Sequence, residues 1–271
     1  MKLKLGTIGG TLALAATLAL AGGAAGGGES VKETARKLVD EHKDAVVLVE
    51  VVVKMKLSVG GQSQEQERKF EANGTVITPE GLTVVSNASI DPTAALERMR
   101  MKADISTSDV KIVTADGTEH EAEIALTDKD LDLAFIRPKA AAKLPCVELK
   151  KGPEPALLDT LVSITRLGRK ANREPGVALS EVLAVIRKPR TRYVASGQIF
   201  QGCPVFNLAG EPLGLALMHT DGAAGVTVLP CDDILEAAKQ VGQKKPDGGA
   251  KEEKAPPAEK PATPDASKGA L

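Results

Sequence analysis

Residues Ile199–Gly210 read IFQGCPVFNLAG. Turn chemistry stands at both ends, with Gly202-Cys203-Pro204 in front and Ala209-Gly210-Glu211 behind. Between them Val205-Phe206 offers the β-branched and aromatic side chains of a buried strand. A second apolar run, Leu213–Met218, follows directly, so the stretch predicts a β-hairpin.

Outward from this hairpin the same pattern repeats. Upstream, AVVLVEVVVKMKL (Ala45–Leu57) is nearly continuous, as a strand buried on both faces requires. Gly74–Thr78 and Leu82–Val85 flank Pro79-Glu80-Gly81, and Val110–Thr114 and His120–Leu126 flank Ala115-Asp116-Gly117. Leu131–Ile136 is stopped by Pro138; Thr160–Thr165, Val177–Ile186 and Gly225–Leu229 complete the series. Short strands at this spacing predict a sandwich or barrel, not a parallel βαβ sheet. The Gly/Pro break at Lys150–Pro155 divides them into two sets of about six. The expected architecture is all-β, with two six-stranded antiparallel β-barrels over about 45–149 and 156–230. A short amphipathic helix within 22–44 (Ser30–Asp44) precedes them, and a closing helix (Asp232–Val241) follows, with Ile234, Leu235 and Ala238 on one face.

The ends read differently. MKLKLGTIGGTLALAATLALAGG has a basic start, a short apolar run and Ala19-Leu20-Ala21, which predicts a secretory signal over 1–21. The run is short for a span and no cysteine follows the cut, so the expected product is exported, periplasmic or extracellular, without a stable membrane span. Residues 242–271 are rich in Pro, Ala, Lys and Glu, and the composition predicts disorder.

Composition narrows the chemistry. With 35 Lys and Arg against 36 Asp and Glu there is no dominant basic character, which argues against nucleic acid as a partner. Aromatics are 2% of the chain and Trp is absent, so an aromatic platform for sugars or bases is not expected. The three cysteines lack CxxC spacing, and His42, His120 and His219 stand far apart, so neither a metal nor another cofactor is expected. The basic run Arg187–Arg192 reads as a solvated connection, and as the place to look for an acidic partner.

Three stretches together resemble the trypsin-like serine proteases, and their HtrA/Deg branch in particular. GTVITPEGLTVVSNASID (Gly74–Asp91) is similar to the family's G-x-I-I-x-x-x-G-x-I-V-T-N-x-H-V-V. VKIVTADGTEHEAEIALTDKDLDLAFIRP (Val110–Pro138) is similar to its segment ending D-L-A-V-L, and GCPVFNLAGEPLGL (Gly202–Leu215) to the end of G-N-S-G-G-P-L-x-N-x-x-G-x-V-I-G. The resemblance runs from about Ala45 to Glu236. It implies the double-barrel protease fold with no PDZ domain, the chain passing from the closing helix into the polar tail.

The resemblance also implies where catalysis would sit. Proteolysis there needs a hydroxyl nucleophile, an imidazole base and a carboxylate that holds the imidazole tautomer. The imidazole position falls on Ala88, between the matching Asn87 and Asp91; the carboxylate position is Asp132; the serine position is Gln201. Of the oxyanion-loop positions Ile199, Gly202 and Cys203, the first and last stand where the family has glycine. The degenerate triad implies a catalytically inactive homologue, an exported module that binds or scaffolds a peptide or protein, for which pairing along a strand edge is the natural mode. The alternative is a trypsin-like serine endopeptidase or a peptidase with a rearranged site. Asp132 is expected to survive by accepting hydrogen bonds from backbone amides or from Ser86 and Ser89. Cys203 as a replacement nucleophile would need a base beside it. The way the closing helix packs in such proteases implies a Cys146–Cys231 disulfide that leaves Cys203 free.

Overall fold

A computed structural model describes residues 26–59, 62–100, 103–218 and 225–241. The expected signal segment, the polar tail and His219 lie outside the described residues. The first barrel contains β1 (Val46–Val59), β2 (Gln62–Val76), β3 (Thr83–Ser86), β4 (Ala103–Val113), β5 (Glu119–Asp128) and β6 (Leu133–Pro138). The second contains β7 (Thr160–Arg166), β8 (Pro175–Ile186), β9 (Arg192–Ala195), β10 (Pro204–Phe206), β11 (Pro212–Met218) and β12 (Val226–Pro230). Both are closed and antiparallel, in the orders β1-β2-β3-β6-β5-β4 and β10-β11-β12-β9-β8-β7. Helix α1 (Gly26–His42) precedes them and α4 (Cys231–Val241) follows, while α2 (Asn87–Ile90) and α3 (Thr93–Arg98) lie between β3 and β4.

The continuous apolar run in β1 serves two cores at once. Val47, Val49, Val51, Val53 and Met55 fill the first barrel, and Val46 faces the layer between the barrels. That layer joins Val84, Leu133 and Phe135 of the first barrel to Val162, Phe206, Leu215 and Leu229 of the second. Ala35 and Leu38 of α1, and Ile234, Ala237 and Val241 of α4, close it from the outside. The opening hairpin forms as its sequence predicts. Asn207 Oδ1 accepts from the amides of Ala209 and Glu211, 2.9 Å each, and Gly210 takes φ +83°.

Arg166, buried at the end of β7, ties the start of the first barrel to the second. Its Nε donates to Val46 O (2.5 Å), Nη1 to Arg173 O (2.6 Å) and Nη2 to Lys43 O, and its backbone amide donates to Asn73 Oδ1 at 2.9 Å.

Two expectations need correction. The basic run is not uniformly a solvated connection: Arg192 opens β9, the third strand of the second barrel in chain order, and is 4% exposed. The Cys146–Cys231 disulfide is not formed, and all three cysteines are free. Cys146 packs against the first-barrel core, whereas Cys231 belongs to the layer between the barrels and its thiol donates to Pro212 O at 3.3 Å.

Candidate functional site

The site grows from three chain ends that meet where the barrels join. β3 delivers Ser86, α2 begins at the next residue with Asn87 and Ala88, and the turn before β6 holds Asp132 at φ +63°. Aspartate tolerates that left-handed conformation better than most residues. The Asn87 amide donates to Asp132 O at 3.0 Å, which fixes the two first-barrel segments to each other. Gln201 comes from the second barrel, on the loop that leads into β10.

The Asp132 side chain is 2% exposed and fully partnered. Its Oδ1 accepts from the Ala88 amide at 2.7 Å; its Oδ2 accepts from the Ser86 hydroxyl at 2.5 Å and the Met218 amide at 2.8 Å. Burial pushes its carboxyl above the ordinary aspartate value, opposed by the Ser86 hydroxyl, the two amide donors and the positive charge of Arg192. Gln201 completes the circuit. Its Oε1 lies 3.0 Å from Ser86 Oγ and 2.8 Å from Ser89 Oγ, so one carboxamide spans the junction between barrels. Ala88, Asp132 and Gln201 thus stand together, linked through Ser86.

The adjoining loop is set by backbone contacts. Gly202 has φ +78°, its carbonyl accepts from Thr75 Oγ1 at 2.7 Å, and its amide donates to Ala216 O at 2.7 Å. A Cβ at this position would lie 2.0 Å from Asn73 O, so only glycine fits. Ile199 is buried with Leu161 and Val205 in the second-barrel core. Cys203 is fully buried, and loss of hydration pushes its thiol up to about 12, with a hydrogen bond to Thr165 pulling weakly the other way.

A family model for the trypsin-like peptidase domain matches residues 72–215. The chain belongs to that family. No curated protein matches its sequence. Within this trypsin-like domain the match spans Ser86, Ala88, Asp132 and Gln201, so the junction lies inside the family segment. Neither histidine among the described residues, His42 or His120, hydrogen-bonds Asp132. His42 stacks on Phe206, with ring centroids 4.6 Å apart, and burial lowers its pKa; His120 sits on β5 opposite Ile112. Ser196, another hydroxyl on the second barrel, accepts from the Glu181 amide at 2.8 Å.

Two contributors to the junction escape sequence reading. Met218 acts through its backbone amide, which no side-chain pattern can announce. Arg192, whose Nη2 donates to Leu131 O at 3.2 Å, looks like one more member of a basic run. Its only cue is its place before Tyr193-Val194, a β-forming pair.

Proposed function

We propose that this trypsin-like domain is exported and works without peptide hydrolysis, as a binding or scaffold module for a peptide or protein. Ala88, Asp132 and Gln201 are the remnants of its triad, and Ile199, Gly202 and Cys203 those of its oxyanion loop. The observation that carries this reading is the closed hydrogen-bond circuit at the junction. Acyl transfer needs a base to take the nucleophile's proton. Here Ser86 is fully buried against Asp132, and position 201 offers a carboxamide already engaged by Ser86 and Ser89. Three of the acceptor directions of Asp132 are taken by Ser86 and by the Ala88 and Met218 amides, which favours a structural junction over a reacting one. Purified mature protein should neither take up a fluorophosphonate probe nor degrade casein. Covalent labelling at any serine overturns the reading.

A further inference from the structure

The first barrel closes between β4 and β5 through a short seam. β4 and β5 pair only at Lys111–Glu121, Ile112–His120 and Val113–Glu119. Upstream of these pairs β4 bonds to β1 alone, and beyond Glu121 β5 bonds to β6 alone. The two strands therefore splay, each presenting an unpaired backbone edge to the other. Two clefts, 330 Å³ and 380 Å³, run along this split and share Thr107 and Ile124. Val53, Ile90, Ile105 and Ile124 line the first cleft, and Val110 and Ala122 line the second.

The free edges of β2 and β4 differ in chemistry. Gln62–Asn73 of β2 also pairs only with β1, but it carries Glu65, Glu67, Arg68, Lys69 and Glu71, the charge density that discourages strand addition. On β4 the register shift leaves Ser108 unopposed, which confines the regular edge to Ala103–Thr107. There Ile105 and Thr107 pair with Met55 and Val53, whose side chains fill the barrel, so both point into the split.

We propose that the β4 edge at Ala103–Thr107 binds an extended, uncharged peptide strand whose alternate aliphatic side chains enter the split toward Ile105 and Ile124. The inference rests on the reading of the domain as a peptide-binding module and gives that module its surface. A row of amide and carbonyl groups otherwise left to water is matched in register by another main chain. The charges that line the two clefts select for neutral inward side chains, because among the described residues each has a partner; Asp104 alternates with Ile105 and so lies on the opposite face of β4. Asp109 lies 3.9 Å from Lys111, Glu123 2.7 Å from Arg137, Lys129 3.8 Å from Asp91, and Lys139 3.8 Å from Glu121. A charged side chain entering the clefts would meet no unpaired counter-ion among their described lining residues and would lose its hydration. The polar tail of this chain, with its prolines and lysines, lacks the β-forming residues such a strand needs.

The test is to pan a phage-displayed library of random heptapeptides on the full mature protein and synthesise the peptides that enrich. They should alternate aliphatic with small polar residues, and hydrogen–deuterium exchange should show new protection at Ala103–Thr107. N-methylation of alternate backbone amides should weaken binding about tenfold or more, because it removes the edge hydrogen bonds and keeps the side chains. Ile124→Lys, checked for an unchanged melting transition, should do the same. Enriched peptides that protect Ser86–Ser89 and Gln201 but not β4 overturn the edge and leave the peptide-binding reading standing. Insensitivity to N-methylation also overturns the edge. Failure of any peptide to enrich overturns both.

Discussion

Cys203 stands two residues from the serine position, yet its surroundings hold the thiol in the protonated form. With a value near 12, about one molecule in 10⁵ carries a thiolate at pH 7, too few for nucleophilic work. Cys231 is likewise buried and pushed up to about 12. Both are acids whose folded value lies above the unfolded one, so unfolded chains release these protons first as pH rises. The stability they contribute is complete below about pH 8.5 and is lost between there and pH 12, at up to about 2.7 kcal/mol per pH unit for the pair. Urea unfolding of the wild type from pH 8 to 10.5 should show this fall, and a Cys203→Ala/Cys231→Ala variant should show a flatter profile; equal slopes would sink the assignment. Gly202 offers a second test. Gly202→Ala forces a methyl group onto Asn73 O and an unfavourable φ at once, and should cost on the order of 3 kcal/mol or more in chemical unfolding.

Among the elements, legibility followed the strength of the apolar pattern. β1, β7, β11 and α4 stand close to where their sequences put them, because each buries a full face and its side chains must be apolar. The outer half of β2 (QSQEQERKFEA) was not readable as a strand, since a single-partner edge strand exposed to water needs no apolar face. β9 was missed for the opposite reason: it is short, and its first residue is a buried arginine whose charge imitates a loop. Sequence reading singled out Ala88, Asp132 and Gln201 from the order of the flanking motifs, and the fold brings them together; the Met218 amide was out of its reach, because backbone donors leave no residue signature. Arg166 gives this scale its own prediction. Its guanidinium reaches the Val46, Lys43 and Arg173 carbonyls from a side chain that is 2% exposed. Arg166→Met keeps much of the volume but strands those acceptors, and should lower unfolding free energy by about 3 kcal/mol. Arg166→Lys should recover only a small part, because one ammonium cannot reproduce the planar fork.

The molecule as a whole has the two barrels of a trypsin-like domain, and on the proposed reading of their junction as cohesive, the bonds there determine what adding an imidazole and a hydroxyl can achieve. Ala88 is exposed, so Ala88→His adds an imidazole without steric cost, and Gln201→Ser supplies a hydroxyl. Yet Asp132 already accepts from Ser86 and from the Ala88 and Met218 amides, so a new imidazole would compete for the one acceptor direction left on Oδ1. Shortening Gln201 also removes the carboxamide that Ser86 and Ser89 share across the barrels. The adjoining loop is pinned by the buried Ile199 and Cys203, and the Gly202 amide is committed to Ala216 O. Preorganised oxyanion donors are worth about 10²–10³ in rate each, and a loop anchored for packing has no reason to aim them. The double variant Ala88→His/Gln201→Ser should therefore fold, melt a few degrees lower than the wild type, and hydrolyse casein no faster than buffer. Adding Ile199→Gly and Cys203→Gly is necessary for any measurable turnover, and should further weaken the fold by emptying two buried positions. Fluorophosphonate labelling at position 201 in the double variant alone would show that the loop had kept its catalytic geometry.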